Sequence, residues 1–344
     1  MKTVVLSGGT GSIALKKALG EYIPKEELFT IVNAYDNGLS TGLVRKVYNG
    51  DILGPSDVRK QQFLDYSIYR DEVKTSESEM IYEHLSKRYT FLDNPKENII
   101  SIVEYLGFEI TEAVEHYFSQ PLSTKIRYID FSIANIVYAG LAGLNDNSLQ
   151  NAADIMADLL NLPQNIIVND DTSLFLCATT ESGYNIYDEA EIVSWNNPID
   201  RIVNVFFVDK YGQKSTPVLS DLCIETIKNS ELLIASSGTQ FSSLIPTYKS
   251  IGFEEVTRDK EIYVVMNVST DYDMSGYTPG NQLDIMNANL RNTERTIIVD
   301  NRINIDDAYN YGFNIIRGDY SDENDSSKHN GYKLVKEILS DFYK

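Results

Sequence analysis

The chain has 344 residues, with 30 Lys and Arg against 50 Asp and Glu, a formal charge of −20. Hydrophobic residues make up 42% and charged residues 23%, a balance that allows one large or two modest folded domains with a substantial core. So negative a chain is poorly suited to tracking a nucleic-acid backbone or lying on an anionic membrane, and neither partner is expected; a small anionic ligand, which senses the local field, is not excluded. The two cysteines, Cys177 and Cys223, sit in apolar text and suggest neither a disulfide framework nor a clustered metal site. With no signal-peptide pattern, and no apolar run near the roughly 20 residues that span a bilayer, the expected location is the cytoplasm.

In chain order, the apolar run Thr3-Val4-Val5-Leu6 halts at glycines and leads into a helical pattern from Ile13 to Tyr22. A second β-rich run, Phe29 to Asn33, stops in Tyr35-Asp36-Asn37-Gly38. Strand, glycine turn, helix and strand open an α/β unit with a parallel sheet. Residues 58–125 are charged, Tyr-rich and helically spaced, and read as helices covering the sheet. Two helical patterns follow between Asp130 and Asn161. Residues 164–208 read as a strand-rich patch with strands at Asn165 to Val168, Ser173 to Thr179, Tyr184 to Tyr187 and Arg201 to Val208, and a turn at Ser182-Gly183. Parallel-sheet logic returns with a helix from Asp221 to Asn229 and strands at Glu231 to Ala235, Glu261 to Met266 and Thr296 to Val299. A helix near Asn281 to Leu290 precedes the last of these. A polar stretch, Ser321 to Ser327, and an amphipathic helix, Tyr332 to Phe342, close the chain. The expected fold class is α/β: a Rossmann-like open, mainly parallel sheet with helices on both faces, a helical insertion and a small strand-rich patch. A single domain over 1–344 is expected, with 1–57 and 126–318 as core, 58–125 as the insertion and 319–344 as tail and helix.

Four loops are candidates to carry chemistry. The first, Ser7-Gly8-Gly9-Thr10-Gly11-Ser12, lets backbone approach a phosphate at a helix start, or is simply a tight strand–helix turn. It lacks the Lys of a Walker A loop, and its fit to the dinucleotide fingerprint, with Asp36 downstream, is partial. The second, Asp36-Asn37-Gly38 through Ser40-Thr41-Gly42 to Arg45, combines oxygen ligands suited to Mg²⁺ with donors for phosphate oxygens, or is an Asx-rich turn. In the third, Gly54-Pro55-Ser56-Asp57-Val58-Arg59, Asp57 and Arg59 can serve metal and phosphate together, or Asp57 caps the following helix. The fourth, Ser236-Ser237-Gly238-Thr239 through Ser243, is a second anion cradle or an ordinary capped turn. His84, His116 and His329 read as isolated surface residues, Trp195 as packing, and the pair Asp170-Asp171 as a turn more than a metal site.

Taken together and in this order, the loops resemble the 2-phospho-L-lactate transferase (CofD-like) family, whose UPF0052 or gluconeogenesis-factor branch binds nucleotide sugars. Leu6 to Gly11 looks like the transferase branch, while Asp36 to Arg45 and Gly54 to Arg59 are similar to the regulatory branch. Phe131-Ser132-Ile133-Ala134-Asn135 resembles the family's Ser-x-Gly-Asn helix start, with Ala134 in place of Gly; Ser237 to Pro246, Met266-Asn267 and Gly276-Tyr277-Thr278 resemble its later loops. The resemblance runs from about residue 2 to 318. It departs at Asn37, where the transferase branch has a second acid, and at Gly54-Pro55-Ser56-Asp57, which holds one carboxylate fewer.

The resemblance implies a magnesium-dependent nucleotide-binding transferase that moves a phosphate-ester group from a nucleoside-diphosphate-activated donor to an alcohol and releases a nucleoside monophosphate. Asp36 and Asp57 would hold Mg²⁺ and, with Arg59, act in catalysis. Gly8, Gly9, Thr10, Gly11, Ser12, Asn37, Ser40, Thr41, Arg45, Asn135, Ser237, Gly238, Thr239 and Ser243 would hold the nucleotide and its phosphates. The competing expectation is a non-catalytic regulator of carbon or cell-wall metabolism that binds a nucleotide sugar such as a UDP-linked amino sugar. NAD-dependent redox chemistry has only the first loop in its favour. The expected assembly is a homodimer.

Overall fold

The computed structural model describes residues 1–170, 172–269, 271–290, 293–305 and 312–344. Strand β1 (Thr3–Ser7) is fully buried, and its side chains alternate between the sheet's two faces: Val4 and Leu6 join one apolar cluster and Val5 the other. Helix α1 (Ile13–Leu19) covers the Val5 face, and β2 (Leu28–Val32) pairs with β1 in parallel. The loop after β2 enters α2 (Leu39–Val47), and a second loop leads to the long helix α3 (Pro55–Val73), with Pro55 in its first turn. α3 packs against β2 on the face opposite α1's cover.

The charged region contains α4 (Ser76–Leu85), β3 (Arg88–Phe91), α5 (Pro95–Val103), α6 (Phe108–Ser119) and β4 (Tyr128–Ser132). Thr75 and Ser78 form a reciprocal capping box that starts α4. The region is therefore more than helical: β3 and β4 make an antiparallel pair of their own. Helices α7 (Ile133–Leu144) and α8 (Leu149–Leu159) follow, and α7 is buried along nearly its whole length, which explains its almost uninterrupted apolar sequence.

Strand β5 (Ile166–Val168) pairs with β2 and forms one edge of the parallel sheet, which corrects its expected place in the strand-rich patch. Its three apolar residues are all buried, as parallel-sheet strands require, and nothing local distinguishes them from a patch strand. The patch itself is a four-stranded antiparallel sheet ordered β7-β6-β8-β9, built from β6 (Phe175–Thr180), β7 (Asn185–Ile186), β8 (Ile202–Val208) and β9 (Lys214–Ser215). A short helix, α9 (Glu189–Ser194), lies between β7 and β8.

The chain then returns to the main sheet through α10 (Asp221–Lys228), β10 (Leu232–Ala235), the short helices α11 (Ile245–Tyr248) and α12 (Phe253–Thr257), β11 (Glu261–Val265), α13 (Pro279–Asn289), β12 (Glu294–Asp300) and β13 (Asn314–Gly318). The last helix, α14 (Gly331–Phe342), packs beside α1. All seven strands run parallel in the order β13-β12-β11-β10-β1-β2-β5. The connections reverse direction between β1 and β10. Ligands of such sheets bind beyond the carboxyl ends of the strands at that reversal. Among the described residues, no helix is long and apolar enough to cross a membrane.

Candidate functional site

A cleft of about 1060 Å³ opens at this reversal point. Gly8, Gly9, Thr10 and Gly11 line it from the end of β1, and Ser237, Gly238, Thr239 and Ser243 from the end of β10. The two loops interlock. A Cβ on Gly11 would lie 2.0 Å from the Ser237 carbonyl oxygen, and one on Gly8 would lie 2.2 Å from the Ser243 Cβ. Ser237 Oγ donates to the Gly11 carbonyl at 2.8 Å, so one loop is fastened to the other. Gly9 serves a third purpose: its φ of +130° is one that side chains resist, and a Cβ there would meet the Asp57 carboxylate at 2.9 Å. Its N–H turns inward to Ser7 Oγ at 3.3 Å. Thr10 and Gly11 begin a 3-10 turn on the cleft side, where the first N–H groups have no partner within the turn.

The far loop is shaped by Asp273, fully buried, whose Oδ2 accepts from the Phe241 and Ser242 N–H groups at 3.0 and 3.3 Å. Burial, with Asp271 nearby, pushes the Asp273 carboxyl up to about 7. Asn33 Nδ2, at the end of β2, donates to the Ser242 carbonyl at 2.7 Å and ties this loop back across β1.

Three carboxylates gather on the other side of the glycine loop: Asp36 after β2, Asp57 at the start of α3, and Glu189 at the start of α9. Asp36 accepts from the Gly38 N–H at 2.9 Å and the Thr41 hydroxyl at 2.8 Å. Asp57 accepts from Lys60 Nζ at 2.8 Å, and burial lifts its carboxyl to about 6, with Asp36 adding repulsion. Glu189 is 8% exposed, accepts from the Asn37 N–H at 3.2 Å, and is also pushed upward, first by burial and then by Asp36 and Asp57. Glu189 was not apparent in the sequence, because it arrives from the strand-rich patch more than 130 residues after its neighbours.

These groups fit a magnesium ion. Mg²⁺ takes hard oxygen ligands, commonly one or two carboxylates completed by water and substrate phosphates. Mutual repulsion among the buried Asp57 and Glu189 and the half-buried Asp36 is what a divalent cation would relieve. Among the described residues, no three His, Cys, Asp or Glu side chains form a ready-made metal cluster, so Asp36 and Asp57 would hold the ion together with its ligand.

Seven of the expected site residues lie behind the cleft wall. Arg45, expected at a phosphate, is 1% exposed; its Nε donates to the Ile52 carbonyl at 3.1 Å and its Nη2 to the Leu174 carbonyl at 2.7 Å, while its guanidinium sits 4.1 Å from the Phe175 ring centroid. It clamps the α2 end to the antiparallel sheet. Asn135, fully buried, donates to Ser40 Oγ and Ser56 Oγ, both at 3.0 Å, and Ser56 bonds the Thr41 hydroxyl. Ser40, Thr41 and Asn135 thus support Asp36 from below. Ser12 is fully buried and hydrogen-bonded to Ser7 at 2.9 Å. Asn37 presents its backbone to Glu189, and Arg59 is half-buried beside Phe63 without lining the cleft.

Two further residues escaped sequence reasoning. Gln61, 1% exposed on α3, directs Nε2 at the Gly9 carbonyl (2.7 Å), Ser12 Oγ (2.9 Å) and Ser7 Oγ (3.2 Å), fixing the glycine loop from beneath. His329 is not a surface residue: it is buried, lines the cleft, and burial depresses its imidazole to about 4. The stretch Asp322 to Lys328 beside it forms a polar wall of the cleft. Asp170 is a structural acceptor for the Tyr35 hydroxyl at 2.5 Å and the Thr172 N–H at 2.7 Å; Asp171 lies outside the described residues.

Known proteins agree with this architecture. A "Putative gluconeogenesis factor" of Streptococcus pneumoniae is 23% identical over 292 residues, spanning 84% of this chain and 75% of its own. A protein of the same name from Aquifex aeolicus is 22% identical over 289 residues, 83% and 73% respectively. The crystal structure of a UPF0052-family protein from Bacillus halodurans superposes with a TM-score of 0.72 at 19% identity, covering 98% of this chain and 99% of that one, a likeness of fold. The model of the family described as "2-phospho-L-lactate transferase CofD" matches residues 3–338, and the chain belongs to that family.

Proposed function

We propose that this protein binds a nucleoside-diphosphate-activated donor in the cleft and transfers a phosphate-ester group from it to an alcohol acceptor. The observation that carries this reading is the convergence of two interlocked small-residue loops with Asp36 and Asp57 at the reversal point of the sheet. The Thr10 and Gly11 N–H groups would receive phosphate oxygens, helped by the Thr239 and Ser243 hydroxyls. Lys60 and Lys17, which line the same cleft, offer counter-charge in an otherwise acidic molecule. In the transfer, the acceptor oxygen bonds to the donor's distal phosphorus and the bridging P–O bond breaks. Its electron pair leaves with the nucleoside monophosphate, and the hydroxyl proton passes to solvent or a nearby carboxylate. Asp36 and Asp57 would hold Mg²⁺, which when bound neutralises charge developing on the phosphate oxygens.

The curated relatives carry the name "Putative gluconeogenesis factor", which names no reaction, and the second reading is a non-catalytic regulator that binds a UDP-sugar in the same cleft. Long incubation with nucleotide-activated donors and candidate alcohols, followed by mass analysis, separates the two. Transfer predicts a released nucleoside monophosphate that disappears in Asp36→Asn and Asp57→Asn. Recovery of intact donor from every donor–acceptor pair, despite tight binding, would establish the regulator instead.

A further inference from the structure

Beyond the carboxylates, the cleft contains an apolar side chain with nothing to pack on. Leu39 is 85% exposed and holds a φ of +41°, the left-handed region that a side chain disfavours. It lines the cleft, next to Gly38. A Cβ on Gly38 would lie 3.9 Å from that of Ala190, so helix α9 adjoins this loop. Ala190 and Val193, three residues apart on α9 and so on one helical face, line the same cleft, and Val193 is 38% exposed. An apolar group held in solvent on strained backbone costs stability twice, and such strain persists where a ligand uses it.

We propose that Leu39, Ala190 and Val193 form a shelf for the face of a nucleobase, that of the nucleotide whose phosphates meet the glycine loop. The proposal rests on the reading that a nucleotide occupies the cleft. A nucleobase is a flat ring with apolar faces, tethered to its phosphates through one ribose. The opposite kind of surface, the wall at Asp322, Asn324, Asp325 and Ser327, offers partners for hydroxyls and no apolar contact. Leu39, at the start of α2, is the most exposed apolar side chain lining the cleft, and α9 adjoins it; Ile13, 37% exposed at the start of α1, adds apolar area beside the glycine loop.

Calorimetric titration tests this, using wild type, Leu39→Ser and Leu39→Gly with pyrophosphate, GDP and UDP, each with Mg²⁺. Wild type is expected to bind the better nucleotide more tightly than pyrophosphate. Both variants should lose about ten-fold in affinity for that nucleotide and keep wild-type affinity for pyrophosphate. Leu39→Gly guards against misfolding: relief of the left-handed strain offsets glycine's entropy cost, so its melting temperature should not fall below wild type. Variants that keep the wild-type ratio of nucleotide to pyrophosphate affinity, or that weaken both ligands equally, overturn the shelf and leave the phosphate site standing. A wild-type protein that binds pyrophosphate and nucleotides equally overturns it too. One that binds none of the three overturns the shelf together with the function on which it rests.

Discussion

Burial lifts the Asp57 carboxyl to about 6, Asp36 repels it, and Lys60 and Arg59 oppose both. A residue placed so unfavourably stabilises the free protein less than a neutral isostere would. Asp57→Asn is therefore expected to raise the denaturant midpoint of the free protein at pH 8 while abolishing magnesium-dependent nucleotide binding. Equilibrium unfolding and titration calorimetry on the same variant read both effects, and a loss of stability at pH 8 would contradict the assignment. Gln61 behaves in the opposite way. Gln61→Leu removes the donor to the Gly9 carbonyl and to the Ser7 and Ser12 hydroxyls, which keep their bonds to one another, so the loss is that of the bonds themselves, about 0.5–1.5 kcal/mol each. Urea unfolding should show that loss. Sequence reasoning found Asp57 because a carboxylate after Gly-Pro-Ser is conspicuous, yet missed Gln61, because a polar residue in a charged helix reads as a solvated one.

At the scale of elements, that helix contact is systematic. Asp57, Gln61 and Asp65 recur every fourth residue on α3 and face, in turn, Gly9, the glycine-loop core and Lys16 of α1. Lys16 and Asp65 form a buried ion pair at 2.6 Å, with desolvation lowering the Lys16 ammonium and raising the Asp65 carboxyl. Removing one partner strands the other: Lys16→Met alone should destabilise by about 3–5 kcal/mol, whereas Lys16→Met with Asp65→Leu should restore most of it or more. A double-mutant cycle in urea measures this, and equal loss in the single and double variants would contradict it. Four-residue polar spacing is visible in the sequence, but its direction, toward α1 instead of water, depends on tertiary packing. The same limit explains the strands. The buried runs of β1, β2, β10, β11 and β12 were legible because apolar text ends in turn residues, whereas three-residue β5 could belong to either sheet until its partner β2 was known. β13, half-buried at the sheet edge, carries no such signal.

For the molecule as a whole, the charge of −20 excludes polyanion tracking and still permits a local anion site. Buried acids lie at the cleft and behind its wall, and these make stability depend on pH. Asp57 and Asp273, at about 6 and 7, bind protons in the folded state that they release near 3.8 when unfolded. Their stabilising contribution is complete below 3.8 and is lost as pH rises through 6 and 7. His329 acts in the other direction: its ring, at about 4 against 6.5 unfolded, contributes stability above 6.5 that is lost as pH falls toward 4. Of these three groups only the two acids still titrate above 6.5, and Glu189, pushed up to about 8, acts in the same direction, so the free protein's melting temperature is expected to fall between pH 6 and 8. Asp273→Asn should flatten that slope in calorimetric scans, and a melting temperature that rises over this interval would contradict the assignment.

We propose that the cleft is a nucleoside-diphosphate site completed by a cation on Asp36 and Asp57. Titration calorimetry at pH 8 with GDP and UDP, with and without Mg²⁺, in wild type and Asp57→Asn, tests it most directly. Wild type should bind at least one of the two nucleotides, at least ten-fold more tightly with Mg²⁺, and Asp57→Asn should lose the magnesium dependence. Nucleotide binding in wild type that ignores Mg²⁺, or magnesium dependence that survives in Asp57→Asn, would contradict the account.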